Sequence, residues 1–258
     1  MVKFASLISS SSGNSTFVSD GNTNLLVDCG ASGKCIEGLL KNIDINIADI
    51  DAVLITHEHI DHIKGAGVVS RKYNIPIYAT EKTHMAMEIG KIKEENIRVI
   101  EKDKAFEIGK VGITAFSIPH DAADPVGYTF NIGNEKAAVA TDIGQMNEYI
   151  ENYLRGSKEV LLESNHDVQM LEFGSYPYQL KQRILGSKGH LSNDNAGKTA
   201  LKLVQSGTEK ILLGHLSKEN NTPDIAYRTV GNMLGNIGVK LGIDMFLNVA
   251  KRSEVTVF

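Results

Sequence analysis

The chain has 258 residues, 42% of them hydrophobic, and a formal net charge of −4. That is enough apolar side chain for one large core, so a single domain over residues 1–258 is expected, and the charge offers a polyanion no global attraction. No run is long enough to span a bilayer, Met1-Val2-Lys3-Phe4 does not read as a signal peptide, and two cysteines, Cys29 and Cys35, exclude a disulfide framework and a Cys-rich zinc site. Free thiols in a reducing cytoplasm are the expectation.

In chain order, residues 3–9 and 16–19 read as strands, with Ser9-Ser10-Ser11-Ser12-Gly13-Asn14-Ser15 between them. That loop is either a turn or a nest of donors able to meet an oxyanion, with Ser12 and Asn14 as its candidate contacts. Residues 24–27 predict a third strand ending at Asp28-Cys29-Gly30, residues 33–40 a helix, and the β-branched run 52–56 a buried strand. From His62 onward Ile63, Ala66, Val69 and Tyr73 recur at helical spacing, which puts Asp61 and His62 near a helix start. A strand over 75–79 and a helix over 82–89 follow, with His84 as a surface or packing side chain. Strands are predicted over 111–118, 126–132, 137–140, 159–162 and 211–213. Helices are predicted over 148–154, 178–185, 194–205 and 224–234, and an edge strand over 254–258. Strands and helices thus alternate, an α/β pattern.

The chemistry sits just after strands. His57-Glu58-His59-Ile60-Asp61-His62 follows the strand over 52–56 and packs three imidazoles and two carboxylates into six residues. Such groups at the edge of a core need partners, and a divalent metal supplies them; imidazole and carboxylate suit Zn²⁺, Mn²⁺ or Fe²⁺. His120, Asp142 and His215 occupy the same position after later strands. In sheet-based enzymes strand ends carry the site, so these ends form a candidate constellation.

His57-x-His59-x-Asp61-His62 with His120, Asp142, His215 and the upstream Asp28 resembles the metallo-β-lactamase superfamily across nearly the whole chain. The resemblance implies a four-layer αβ/βα sandwich with a dinuclear metal site. It implies that His57, His59 and His120 hold one metal, that Asp61, His62 and His215 hold the other, that Asp142 bridges, and that Asp28 orients the ligand loop. Glu163-Ser164-Asn165-His166-Asp167, Gly189-His190-Leu191-Ser192 and Gly214-His215-Leu216-Ser217 resemble the late motifs of its phosphodiesterase branch. The Ser-Ser-Gly-Asn loop, His120-Asp121-Ala122 and His215-Leu216-Ser217-x-x-Asn220-Asn221 resemble the YycJ (WalJ) family, which is associated with 5′→3′ exonuclease activity on DNA. No long tRNA-binding arm and no inserted second domain is visible, which separates the chain from RNase Z and from the large RNase J-like nucleases.

On this reading a hydroxide between two metals is the nucleophile, because two cations lower the pKa of bound water. Asp61 counts as both ligand and catalytic residue. His190, steered by Glu163, is the candidate acid for the departing alkoxide, unless it is only a neighbour of a helix cap. His166 either binds substrate or orders its loop. Three functions follow: a metal-dependent DNA exonuclease, a hydrolase of small phosphodiesters or thioesters, and a metal-stabilised binding protein without turnover. Every ligand position is filled, which speaks against the third. The basic group Lys181, Arg183, Lys188 favours a polyanion, so a nucleic acid partner, DNA, is expected, and no membrane.

Overall fold

The computed structural model describes residues 3–257. They divide into two compact units, one made of residues up to 117 with 122–135 and the segment from 251, the other of 118–121 and 136–250. The first unit contains β1 (Lys3–Ser10), β2 (Gly13–Ser19), β3 (Asn24–Val27), α1 (Gly33–Lys41), β4 (Ala52–Leu54), α2 (Ile60–Ile63) and α3 (Ala66–Tyr73). It continues through β5 (Ile77–Ala79), α4 (Glu81–Ala86), β6 (Ile97–Val99), β7 (Ala105–Ile108), β8 (Val111–Ser117) and β9 (Val126–Ile132). The second contains β10 (Glu135–Ala140), α5 (Glu148–Leu154), β11 (Glu159–Glu163), α6 (Val168–Phe173), α7 (Tyr178–Leu185), α8 (Asn193–Gln205), β12 (Lys210–Gly214), α9 (Pro223–Asn236) and β13 (Phe246–Val249). The chain then returns to the first unit as β14 (Thr256–Val257).

In the first unit one sheet runs β14-β1-β2-β3-β4-β5-β6. It is antiparallel as far as β3, with tight connections joining β1, β2 and β3 and the returning β14 pairing with β1; from there crossovers through helices make β3, β4, β5 and β6 parallel. Ile36, Leu39 and Leu40 of α1 pack with Leu26, Val53, Ile55 and Ile77 in one buried cluster. β7, β8 and β9 form antiparallel pairs in which Tyr128 is fully buried, its hydroxyl donating to the Ile55 carbonyl at 2.7 Å. In the second unit β10, β11, β12 and β13 are parallel neighbours in that order. Parallel strands end on the same edge, so within the first unit the residues after β3 and β4 are neighbours, and within the second unit so are those after β10, β11 and β12.

Several elements differ from the sequence expectation. The Ser-rich loop shrinks to Ser11-Ser12, because β1 runs on to Ser10 and pairs there with Gly13. Asp61 and His62 do lie at a helix start, as expected, in the one-turn α2 with His59 as its N-cap. Glu163 is the last residue of β11, not the first of a loop. β6, β7, α6 and β13 went unread: β6 is exposed at all three positions and α6 buries only Leu171, so neither leaves a periodic apolar signal. The final strand is Thr256–Val257, and residue 258 lies outside the described residues. His84 is a packing side chain, its Nε2 hydrogen-bonded to the Arg98 carbonyl at 3.1 Å. Both cysteines are free thiols, Cys29 buried and Cys35 exposed.

The turn after β3 is pressed against α2: the Cys29 N–H donates to His62 O, and the Gly30 N–H to Asn14 O, both at 2.8 Å. A Cβ on Gly30 would sit 1.7 Å from the Asp61 carbonyl oxygen and 2.5 Å from the Asn14 nitrogen, both backbone atoms. Gly30→Ala is therefore expected to cost about 1–3 kcal/mol, the usual range for overpacking. A urea denaturation midpoint equal to that of the unsubstituted protein would count against this packing.

Candidate metal centre

Three residues that end parallel strands adopt left-handed backbone despite carrying a Cβ: Asp28 (φ 63°), Asp142 (φ 60°) and His215 (φ 56°). Asp28 directly follows β3, His215 directly follows β12, and Asp142 is two residues past β10. A left-handed non-glycine residue costs roughly 1–2 kcal/mol. Strain of this kind is kept where a side chain has to be aimed, and all three were singled out from sequence.

In the first unit, the buried Asp28 carboxylate accepts from the Thr56 N–H (2.8 Å), the Thr56 hydroxyl (2.9 Å) and His62 Nδ1 (2.7 Å). Burial pushes the Asp28 carboxyl up from its ordinary range, and His62 and Thr56 pull against that rise. The Thr56 hydroxyl proton goes to Asp28, so its oxygen accepts from His57 Nδ1 at 3.0 Å. Both histidines thereby carry their proton on Nδ1 and present Nε2 as a lone pair. His57 Nε2 faces His59 Nδ1 at 3.0 Å, and the His57 and His62 rings lie 4.1 Å apart. Asn14 holds this cluster from below: its amide nitrogen lies 3.1 Å from His62 Nε2 and 3.3 Å from Asp61 Oδ2. Ser12 is exposed on the turn, and its N–H donates to Ser10 Oγ, away from these groups.

In the second unit, Glu163 is the hub. It is fully buried and accepts four hydrogen bonds: Oε2 from the Ile143 N–H (2.6 Å) and the Leu191 N–H (3.1 Å), Oε1 from His190 Nδ1 (2.8 Å) and His215 Nδ1 (3.0 Å). Burial alone would raise its pKa; the His190 and His215 rings outweigh that and hold it well below the usual carboxylate range. His120 Nδ1 donates to the Gly189 carbonyl at 3.1 Å, and burial lowers its pKa, which favours the neutral ring with Nε2 as acceptor. Asp142 Oδ1 lies 3.3 Å from His215 Nδ1, 3.7 Å from His190 Nδ1 and 3.8 Å from His120 Nε2.

Four imidazoles, His57, His62, His120 and His215, thus have Nδ1 committed to an acceptor and Nε2 turned the other way. This is how metal-bound histidines are commonly fixed. His57, His59, Asp61 and His62 in the first unit, and His120, Asp142 and His215 in the second, each offer nitrogen and oxygen donors without thiolate, a chemistry that fits Zn²⁺, Mn²⁺ or Fe²⁺. The close approach of two ring nitrogens in His57 and His59 calls for a proton or a cation between them.

His166 is 1% exposed, and neither ring nitrogen has a hydrogen-bond partner among the described residues. Burial lowers its pKa to about 4, so the ring is neutral near pH 7. Arg183 binds Asp121, the neighbour of His120, through both Nε and a terminal nitrogen.

Sequence reasoning missed three positioning features. Thr56 was read only as strand. The Glu163 link to His215 joins residues 52 apart. The third is a buried amide network: Ser164 Oγ donates to Asn193 Oδ1 (2.6 Å), and Asn221 Nδ2 donates to the Ser164 carbonyl (2.9 Å) and Asn193 Oδ1 (2.9 Å). Asn165 Nδ2 donates to the His215 carbonyl at 2.8 Å, so the segments after β11 and β12 and the one leading into α8 are braced together. The signal in sequence was several Asn residues beside the motif histidines, a pattern that also suits ordinary turns.

The chain matches the model of the Beta-lactamase superfamily domain over residues 23–215. It is 41% identical over 246 residues to exodeoxyribonuclease WalJ of Streptococcus pneumoniae serotype 2, covering 94% of this chain and 91% of that one. It is 40% identical to exodeoxyribonuclease YycJ of Bacillus anthracis, covering 93% and 91%. Among solved structures, the metallo-beta-lactamase fold protein YhfI from Bacillus subtilis aligns over 100% of this chain and 99% of its own with a TM-score of 0.72 at 16% identity. At that identity the likeness is one of fold, the α/β metallo-β-lactamase sandwich expected from the sequence. No described helix is long and apolar enough to cross a membrane.

Proposed function

The chain belongs to the YycJ (WalJ) family of the beta-lactamase superfamily and is a metal-dependent hydrolase; on that premise we propose that it is a 5′→3′ exonuclease acting on DNA. The observation that carries the phosphodiester reading is the 2.8 Å contact between His190 Nδ1 and the buried carboxylate of Glu163. Cleaving a phosphodiester expels an alkoxide, a poor leaving group that needs a proton. With Nδ1–H given to Glu163, Nε2 is the atom of His190 that can carry a second proton and deliver it. The His190 side chain is 22% exposed, so a substrate can reach it.

In the first unit His57, His59, Asp61 and His62, and in the second His120, Asp142 and His215, are the residues that would hold two divalent cations, Zn²⁺ or Mn²⁺. When bound, such ions acidify a coordinated water and neutralise charge developing on the phosphate. The chain's own residues do the rest. Asp28 and Thr56 fix the rings of His62 and His57, and Glu163 fixes those of His215 and His190. Asn14 keeps Asp61 and His62 in place. His166, a neutral buried ring whose nitrogens have no hydrogen-bond partner among the described residues, is the candidate donor to a phosphate oxygen, and Ser12 is exposed for contact with the strand.

The test is direct. Purified protein with Mn²⁺ or Zn²⁺ should release nucleotides stepwise from the 5′ end of 5′-phosphorylated DNA, and EDTA should stop it. Activity confined to RNA, or to a small aryl phosphodiester offered in parallel, would overturn the DNA exonuclease assignment.

A further inference from the structure

We propose that the groove between α1 and α3 holds the phosphate backbone of the DNA beside the metal residues of the first unit, with Lys34, Lys64 and the Lys41–Glu37–Lys72 cluster as its contacts. This rests on the exonuclease reading and names a surface that would serve it.

The groove measures about 520 Å³ and is lined by Lys34, Lys41, Val68 and Lys72, with Glu37 as the only acid among its described lining residues. Lys64 precedes Val68 by four residues and Lys72 follows it by four. The backbone is helical at Lys64 and at Gly65, so the three side chains form one row along the α3 wall.

The charge of this face runs against that of the chain. The net charge is −4, yet the face sets four lysines against one glutamate. Lys34 and Lys64 are exposed and have no ion-pair partner among the described residues. Glu37 neutralises one charge only: it accepts from Lys41 Nζ at 3.0 Å and lies 3.5 Å from Lys72 Nζ, so two ammoniums share one carboxylate. Both ammoniums are well exposed, and surface pairs of this kind are weak, so a phosphate can share them at little cost. From Lys34 to Lys41 α1 advances about 10 Å. Over that length one strand of a DNA duplex presents about three phosphates, which matches the excess of lysines over Glu37.

Gly38 lies in the middle of α1 and lines the groove. Glycine weakens a helix there relative to a straight-chain residue, and a Cβ at this position would meet nothing within 4 Å. Packing therefore does not ask for a glycine. An unobstructed groove wall does, where another backbone has to come close.

Both walls begin at the backbone that carries the candidate ligands. Lys64 is two residues past His62, and α1 opens shortly after the turn at Cys29. The Cys29 N–H donates to the His62 carbonyl, and the Gly65 N–H donates to the Cys29 carbonyl, both at 2.8 Å. A strand lying between α1 and α3 is thus held by elements that run directly into Asp61 and His62.

The experiment compares the unsubstituted protein, supplied with Mn²⁺, with Lys34→Ala/Lys64→Ala, Gly38→Glu and Gly38→Gln. It measures kcat and KM on a 5′-phosphorylated DNA duplex over a series of salt concentrations, and turnover of bis(4-nitrophenyl) phosphate alongside. The double variant should raise KM roughly 3- to 30-fold at low salt, the range of two exposed ion pairs. Its kcat should stay within about twofold, because a contact away from the scissile bond serves ground state and transition state alike. The slope of log KM against log salt should fall by about 1.8, since each phosphate contact contributes about 0.9, and a merely structural lysine would not move it. Gly38→Glu should raise KM more than Gly38→Gln, which fills the same space without charge. Both replacements favour the helix, so neither should lower the thermal midpoint. Turnover of the small diester should stay within about twofold throughout. An unchanged KM and salt slope in the double variant, equal KM values for Gly38→Glu and Gly38→Gln, or equal losses on the two substrates would overturn the groove. A protein that degrades DNA normally in all these variants loses only the groove. An unsubstituted protein that turns over the small diester but does not degrade DNA loses the exonuclease reading first, and the groove with it.

Discussion

Asp142→Ala is expected to abolish turnover and to weaken retention of both metal ions together. Asp142 is buried, and its Oδ1 lies within 4 Å of His120, His190 and His215. On the proposed reading Asp142 is the carboxylate shared by two ions, so its loss should exceed the roughly 10–100-fold that removal of an outer partner of a metal ligand costs. Its backbone complicates the alanine variant. At φ 60° an alanine carries left-handed strain of roughly 1–2 kcal/mol. Asp142→Asn removes the charge in a residue that tolerates this conformation, and should lose activity to a similar degree with a stability closer to that of the unsubstituted protein. Metal content by elemental analysis, alongside thermal melts, checks both parts. A variant that loses one ion and keeps the other at full affinity would remove Asp142 from the bridging role.

His190→Ala is expected to keep the metals and the fold, and to lose roughly 10²–10⁴-fold in turnover on DNA, the usual contribution of a positioned general acid. On an aryl phosphodiester, whose leaving group departs without a proton, the loss should be far smaller. Equal losses on both substrates would make His190 a binding residue, and loss of metal would make it a ligand. The structure changes the expectation for Glu163→Gln. If Glu163 only steered His190, the amide would be a mild change. The buried carboxylate instead accepts from two backbone amides and two imidazoles. Either orientation of a Gln side chain sets its NH₂ against two donors, and a buried unsatisfied donor costs about 1–3 kcal/mol. Glu163→Gln should therefore disturb His215 as well as His190 and lower stability, where His190→Ala does not.

The first group of candidate metal residues stands out in the sequence because its signal is local. His57, His59, Asp61 and His62 lie within six consecutive residues after an apolar strand, and no folding is needed to see that such a run is costly without a cation. His120, Asp142 and His215 were picked out by one rule, polar residues just after strands; β10 and β12, which precede Asp142 and His215, belong to a parallel set that ends on one edge, whereas His120 follows the antiparallel β8. Periodicity likewise located the buried strands and the amphipathic helices α1, α5, α7, α8 and α9. It failed for β6, β7, α6 and β13, which are short and half exposed, so burial imposes no pattern on them.

What the tertiary structure alone decided is which atom each group presents. Nothing near Asp28 in the chain shows that its carboxylate takes the Nδ1 proton of His62, 34 residues away. Nothing near Glu163 shows that it serves His190 and His215 at once. The Asn193–Asn221–Ser164 brace joins the start of α8 to two loops in the same way. The kinds of residue near a metal follow from sequence, because they are set by ligand chemistry. Their tautomers and orientations follow from hydrogen bonds between distant segments, and those exist only once the strands have paired.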